Sequence, residues 1–212
     1  LVADMDSTMI EQECIDELGE MAGVGARIRD ITARAMRGEL DFEGALTERV
    51  KLLKGLPASI IARILRERIT YMPGGHTLIA TMKAHGAHTA LVSGGFTPFT
   101  ERVAGELGFD EHQANDLIIA DGVLTGSVGH PILGQQAKVE ALRRITTSLD
   151  LDPADAIAVG DGANDLAMLS VAGMGVALHA KPNVQEGSLI RVNHGDLTSL
   201  LYLQGYTKAQ FA

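Results

Sequence analysis

A single cysteine, Cys14, in 212 residues excludes an internal disulfide framework and fits a reducing cytosol; Cys14 itself reads as a small buried thiol. Tryptophan is absent, aromatic residues make up 4% of the chain, and the net charge is −9. A general nucleic-acid binder wants a basic surface, so nucleic acid is not an expected partner. No apolar run approaches the length needed to cross a bilayer, and no basic-then-apolar leader precedes the first motif. A cytoplasmic protein with no membrane partner is therefore expected. His76, His85, His88, His112, His130, His179 and His194 lack metal-site spacing, and none is assigned to catalysis. Internal repeats and low-complexity segments are missing as well.

What is present suits a core domain carrying an insert: 46% of the residues are hydrophobic, enough to bury a real core. The charge is uneven. Residues 27 to 68 hold ten of the eighteen Lys and Arg against six acids, so this stretch is +4 and the remainder −13. The same stretch is where helical periodicity dominates. Ile15, Leu18 and Met21 or Ala22 recur at helix spacing, as do Ile60, Ile61, Ile64, Leu65 and Ile69, and no strand pattern occurs from Glu11 to Ile69.

After Pro73-Gly74-Gly75 the pattern alternates between helix and strand. Helices are expected over 76–84, after the Thr97-Pro98 cap, over 136–148, from Asn164, and over 197–204, where Gly205 ends the last one. Strands are expected at Leu1–Ala3, Thr89–Val92, Ala156–Val159 and Gly175–Leu178, with a β-hairpin of Asn115–Ile119 and Val123–Val128 turning at Asp121-Gly122. Only three residues precede Asp4, so the first strand is expected to begin before Leu1. Strands separated by helices imply an α/β fold, a doubly wound parallel sheet with ligands at the carboxyl ends of its strands. The expected division is a core of 1–13 and 73–212 with a helical cap at 14–72.

Asp4-Met5-Asp6-Ser7-Thr8 places two carboxylates one residue apart at a strand end. Close carboxylates repel, and a divalent cation with oxygen ligands relieves that. A phosphate ester gives both work: Asp4 attacks phosphorus to form an aspartyl phosphate, while Asp6 protonates the leaving alkoxide and later deprotonates water. A bare Asp-x-Asp is more often a solvated turn, so the company it keeps decides. Ser93-Gly94-Gly95, read as a turn after a strand ending at Val92, offers a hydroxyl and accessible N–H groups for phosphoryl oxygens. Lys138 supplies an ammonium, and Gly160-Asp161-Gly162-Ala163-Asn164-Asp165 clusters acids between glycines at a strand-to-helix turn, which suits a hard cation.

These elements, in this order, resemble the haloacid dehalogenase superfamily. The likeness to its amino-acid phosphatases covers nearly the whole chain. It extends to Glu11-Gln12-Glu13-Cys14-Ile15-Asp16-Glu17-Leu18, Ala35 to Phe42, Arg49-Val50, Leu52 to Leu56, and Leu200 to Tyr206. The resemblance implies that Asp4 is the nucleophile, Asp6 the proton donor, and that Mg²⁺ is held by Asp4, the Asp6 backbone carbonyl and Asp161. It assigns Ser93, Gly94 and Lys138 to the phosphate, places Asn164 beside the metal turn, and leaves Asp165 either supporting the metal shell or orienting Lys138. It further implies O-phospho-L-serine as the substrate, in the last step of serine biosynthesis, with Glu13 toward the ammonium, Arg49 on the carboxylate, and Met36 and Phe42 excluding water. Another small phosphomonoester, or transfer of the phosphoryl group to an alcohol, stays open. So does a receiver-like signalling domain, which the helical insert and Asp6 disfavour. Whether the chain forms a homodimer is also open.

Overall fold

The computed structural model describes residues 1–212. Ten α-helices and eight strands follow one another as β1 (Val2–Ala3), α1 (Cys14–Met21), α2 (Gly25–Met36), α3 (Phe42–Lys51), α4 (Ser59–Glu67), α5 (Gly75–Ala84), β2 (Ala90–Phe96), α6 (Thr97–Leu107), β3 (Glu111–Asn115), β4 (Leu117–Ala120), β5 (Val123–Val128), α7 (Gln135–Ser148), β6 (Ile157–Gly160), α8 (Leu166–Val171), β7 (Met174–Leu178), α9 (Pro182–Glu186), β8 (Ile190–Val192) and α10 (Ser199–Leu203). Six strands form one sheet in the order β3-β2-β1-β6-β7-β8, every pair parallel. This is the doubly wound arrangement. Its order reverses at β1, which pairs with β2 on one side and β6 on the other, and such a switch point opens a crevice at the strand ends.

Alternation along the strands explains why both faces are covered. Ala3, Leu91, Val159 and Val176 point into one cluster with Leu78 and Ile79 of α5 and Phe99 and Val103 of α6. Val2, Ala90, Val92, Ala158 and Ala177 point into a second with Val139, Leu142 and Ile145 of α7 and Met168 of α8. The first cluster does not stop at the sheet. It continues into Leu18 and Ile28 of α1 and α2, Val50 of α3 and Ile64 of α4. The helices inserted between β1 and β2 thus share a core with one face of the sheet.

Two strand-like ties join the insert to the rest. On entry and exit, Ile10 and Tyr71 form an antiparallel bridge, with Glu11 N–H donating to Thr70 C=O (2.9 Å) and Met72 N–H to Met9 C=O (3.0 Å). Farther out, the β4–β5 hairpin meets the α3–α4 connection: Gly55 and Ala58 N–H donate to Leu124 and Gly122 C=O, and Leu124 N–H donates to Leu56 C=O, each at 2.8 Å.

Three expectations need correction. Asn115 ends β3 of the main sheet and is not in the hairpin, whose first arm is Leu117–Ala120. The β3 sequence Glu-His-Gln-Ala-Asn is that of an edge strand with little apolar character, so periodicity gave no sign of it. Ser93-Gly94-Gly95 is not a turn after the strand but its continuation: β2 runs to Phe96, with a register shift against β3 between Val92 and Phe96. Thr97 is the first residue of α6, not its cap, and its hydroxyl donates to Asp116 Oδ1 at 2.7 Å.

Candidate active site

The strand ends around the switch point and the inserted helices enclose a cavity of about 680 Å³. Asp4, Asp6, Ser93, Gly94, Asp161 and Asn164 line its floor; Glu13, Met36, Phe42 and Arg49 line the opposite side. Lys138 lies beneath, buried, on the first turn of α7. Every residue expected to act is at this one place.

Asp4 continues β1 by one hydrogen bond, its N–H donating to Val159 C=O at 3.0 Å, which fixes its carboxylate at the crevice. Asp4 Oδ1 accepts from Met5 N–H (2.8 Å) and pairs with Lys138 Nζ (2.6 Å). Lys138 Nζ also donates to Asp165 Oδ1 at 2.6 Å, and Asp165 Oδ2 accepts from Gly162 N–H at 3.0 Å. Asp165 therefore orients Lys138 and braces the Asp161 turn. Thr8, fully buried, donates to Asp161 Oδ1 at 3.2 Å.

Electrostatics follow from this crowding. Burial and then the Asp165 charge push Asp4 well above the ordinary carboxylate range. Asp161 is raised to about 6 by burial and by Asp165, and Asp6 to about 7 by burial and by Glu13. Burial alone would lower Lys138, but Asp4 and Asp165 outweigh it and keep it cationic. Asp4, Asp161 and Asp165 place ligand oxygens within 4.8 Å of one another. Counting charges, three carboxylates and one ammonium sum to −2. A divalent cation with hard oxygen ligands neutralises that sum, so the donor set fits such an ion. Asp165 has both oxygens engaged, which leaves Asp4 and Asp161 as the side chains best placed to ligate it.

A pH dependence results. With folded pKa values near 6 and 7 against 3.8 for the ordinary carboxyl, Asp161 and Asp6 hold protons in the fold that the unfolded chain has lost. Their contribution is therefore intact below pH 4 and is withdrawn as pH rises from about 4 to 7. In chelator, the urea stability of Asp161→Asn minus that of wild type is expected to grow between pH 4.5 and 7.5. A difference that stays flat refutes the assignment.

Asp6 is held by different partners: Oδ1 accepts from Cys14 N–H (2.9 Å) and Oδ2 from Ser93 Oγ (3.4 Å). Ser93 Oγ also accepts from Gly95 N–H at 2.9 Å. Glu13 is presented by Ser7, whose hydroxyl donates to Oε1 at 2.8 Å and whose backbone has φ 56°, a left-handed conformation uncommon for serine. Arg49 is half-buried; Nε donates to Ala45 C=O (3.2 Å) and Nη1 to Thr32 Oγ1 (3.4 Å). Met36 reaches the cavity only at its mouth, being 69% exposed. Sequence reasoning assigned no task to Ser7, Thr8 or Asn115. The first two sit inside the Asp-x-Asp-Ser-Thr motif, which was signal enough to ask what they hold.

With the geometry in view, comparison with known proteins places the chain. Residues 1–170 match the model of the haloacid dehalogenase-like hydrolase family, and the chain belongs to that family. Among its relatives are two phosphoserine phosphatases. That of Haemophilus influenzae is 48% identical over 203 residues, covering 96% of this chain and 64% of the relative; that of Streptomyces coelicolor is 44% identical over 210 residues, covering 99% and 51%. The chain thus spans about half to two thirds of the length of these proteins. A solved substrate-bound phosphoserine phosphatase complex superposes with a TM-score of 0.89 at 39% identity, covering 95% of this chain and 96% of the other.

Proposed function

We propose that the protein hydrolyses O-phospho-L-serine to L-serine and phosphate, with Mg²⁺ as cofactor and Asp4 as covalent nucleophile. One observation carries this: the buried Lys138–Asp4 pair beside the Asp161 and Asp165 carboxylates, at the switch point and opening on a cavity that also presents Glu13 and Arg49. The relatives' names and the substrate-bound neighbour agree with it.

Asp4 forms the new O–P bond as the seryl oxygen leaves, and Asp6 gives that oxygen its proton. Poised near neutrality, Asp6 then takes a proton from water, which attacks phosphorus and breaks the Asp4–P bond, releasing phosphate. In this reading the Lys138 ammonium, Ser93 Oγ and the Gly94 N–H stabilise phosphoryl oxygens. Asp4, Asp161 and the Asp6 carbonyl would hold Mg²⁺, whose charge, when bound, offsets that of phosphate and carboxylates.

Residues 14–72 form the cap in this reading and choose the ester. Glu13 faces the substrate ammonium, and the free N–H groups of Arg49 face its carboxylate. Arg49→Ala is expected to raise KM for phosphoserine by roughly 10² while changing p-nitrophenyl phosphate hydrolysis little, since a lost charge-assisted pair is worth about 1.5–3 kcal/mol. Equal loss on both substrates would reject Arg49 as the carboxylate ligand.

A further inference from the structure

Phe42 opens α3, and its ring lies against two glycines of the opposite wall. A Cβ on Gly94 would stand 3.0 Å from Phe42 Cζ, and one on Gly134 3.1 Å from Cδ1. Backbone handedness does not call for glycine at 134: φ is −104°, outside the left-handed region. The ring leaves little room instead, and would have to give by a few tenths of an ångström to admit a side chain at either position. Gly94 belongs to the phosphate-facing end of β2, and Gly134 precedes α7, which carries Lys138.

Gly94 and Leu133, the residue before Gly134, are tied together by one side chain. Asn115 is 2% exposed, and Nδ2 donates to Gly94 C=O (2.9 Å) and Leu133 C=O (3.1 Å) while Oδ1 accepts from Leu133 N–H (2.7 Å). Two donors and an acceptor on so short a stem are what asparagine offers; aspartate would lose both donors and leucine all three groups.

We propose that Gly134 and Gly94 form the seat of the Phe42 ring, that Asn115 sets the width of this seat, and that Gly134 and Asn115 are thereby positioning residues for substrate selection. The link to selection is α3 itself. Arg49 lies seven residues after Phe42, about two turns along the same helix. Seating the ring fixes where α3 stands over the strand ends, and with it the guanidinium that the proposed function assigns to the substrate carboxylate.

The test is a pair of double-mutant cycles, and its kinetic arm rests on the proposed phosphoserine activity. Gly134→Val is expected to raise KM for phosphoserine about tenfold, with kcat changed less than about threefold, and to change KM less than about twofold in a Phe42→Ala background. Asn115→Leu is expected to show the same pattern. Equal KM rises in both backgrounds, or no rise with Phe42 present, would overturn the proposal. A second arm needs no substrate. Gly134→Val should lower the urea midpoint more in the wild-type background than in Phe42→Ala, where only the poorer helix cap remains. Equal shifts overturn the seat. Absence of phosphoserine hydrolysis by the wild type would reject the proposed function, while the urea arm still decides the seat.

Discussion

Asp4→Asn is expected to abolish phosphate release from phosphoserine, by roughly 10⁴-fold or more, because an amide oxygen cannot form the covalent intermediate. The substitution is mild in every other respect. Asparagine Oδ1 can still accept from Met5 N–H and Lys138 Nζ, so the strand end and the ion cluster keep their hydrogen bonds. Removing one of three crowded carboxylates also relieves repulsion, and the metal-free fold should be no less stable than wild type. The measurement is phosphate release with Mg²⁺, with rapid-quench detection of a protein-bound phosphoryl group in the wild type alone. Wild-type turnover by Asp4→Asn would remove Asp4 as the nucleophile.

Lys138→Met should affect both activity and stability. The side chain is 1% exposed and its ammonium is the only cation that directly pairs with Asp4 and Asp165. Methionine keeps the stem volume but leaves the carboxylates unpaired, so in chelator the fold is expected to lose about 3–5 kcal/mol by urea denaturation. Catalysis should fall by about 10²–10³, the usual cost of one preorganised donor at a site of developing charge. Lys138→Met with near wild-type stability would show that the cluster is not held by this ammonium.

The two predictions concern residues that differ in how openly the sequence displayed them. Asp4, Asp6, Asp161 and Lys138 follow or precede apolar runs, so strand and helix periodicity placed each at an element end, and the doubly wound order then brought those ends to one crevice. Ser93 and Gly94 were recognised by type but misread in conformation, because glycines announce a turn more often than a bulged strand end. Asn115 was placed in the wrong sheet. Its role depends on β3 pairing with β2 and on Leu133 lying beside Gly94, contacts between segments far apart in the chain that no local pattern encodes. Ser7 is a further case: its left-handed backbone and its grip on Glu13 exist only once α1 has folded back over the strand end.

The hairpin that meets the α3–α4 connection bears on how this specificity could be moved between proteins. Gly55, Leu56 and Ala58 come from the segment before β2, whereas Gly122 and Leu124 come from well after it, yet they share three backbone hydrogen bonds. Grafting 14–72 alone onto a related scaffold would leave those N–H and C=O groups facing a foreign surface. A transplantable unit is therefore discontinuous, and has to carry 117–128 together with the helices it braces.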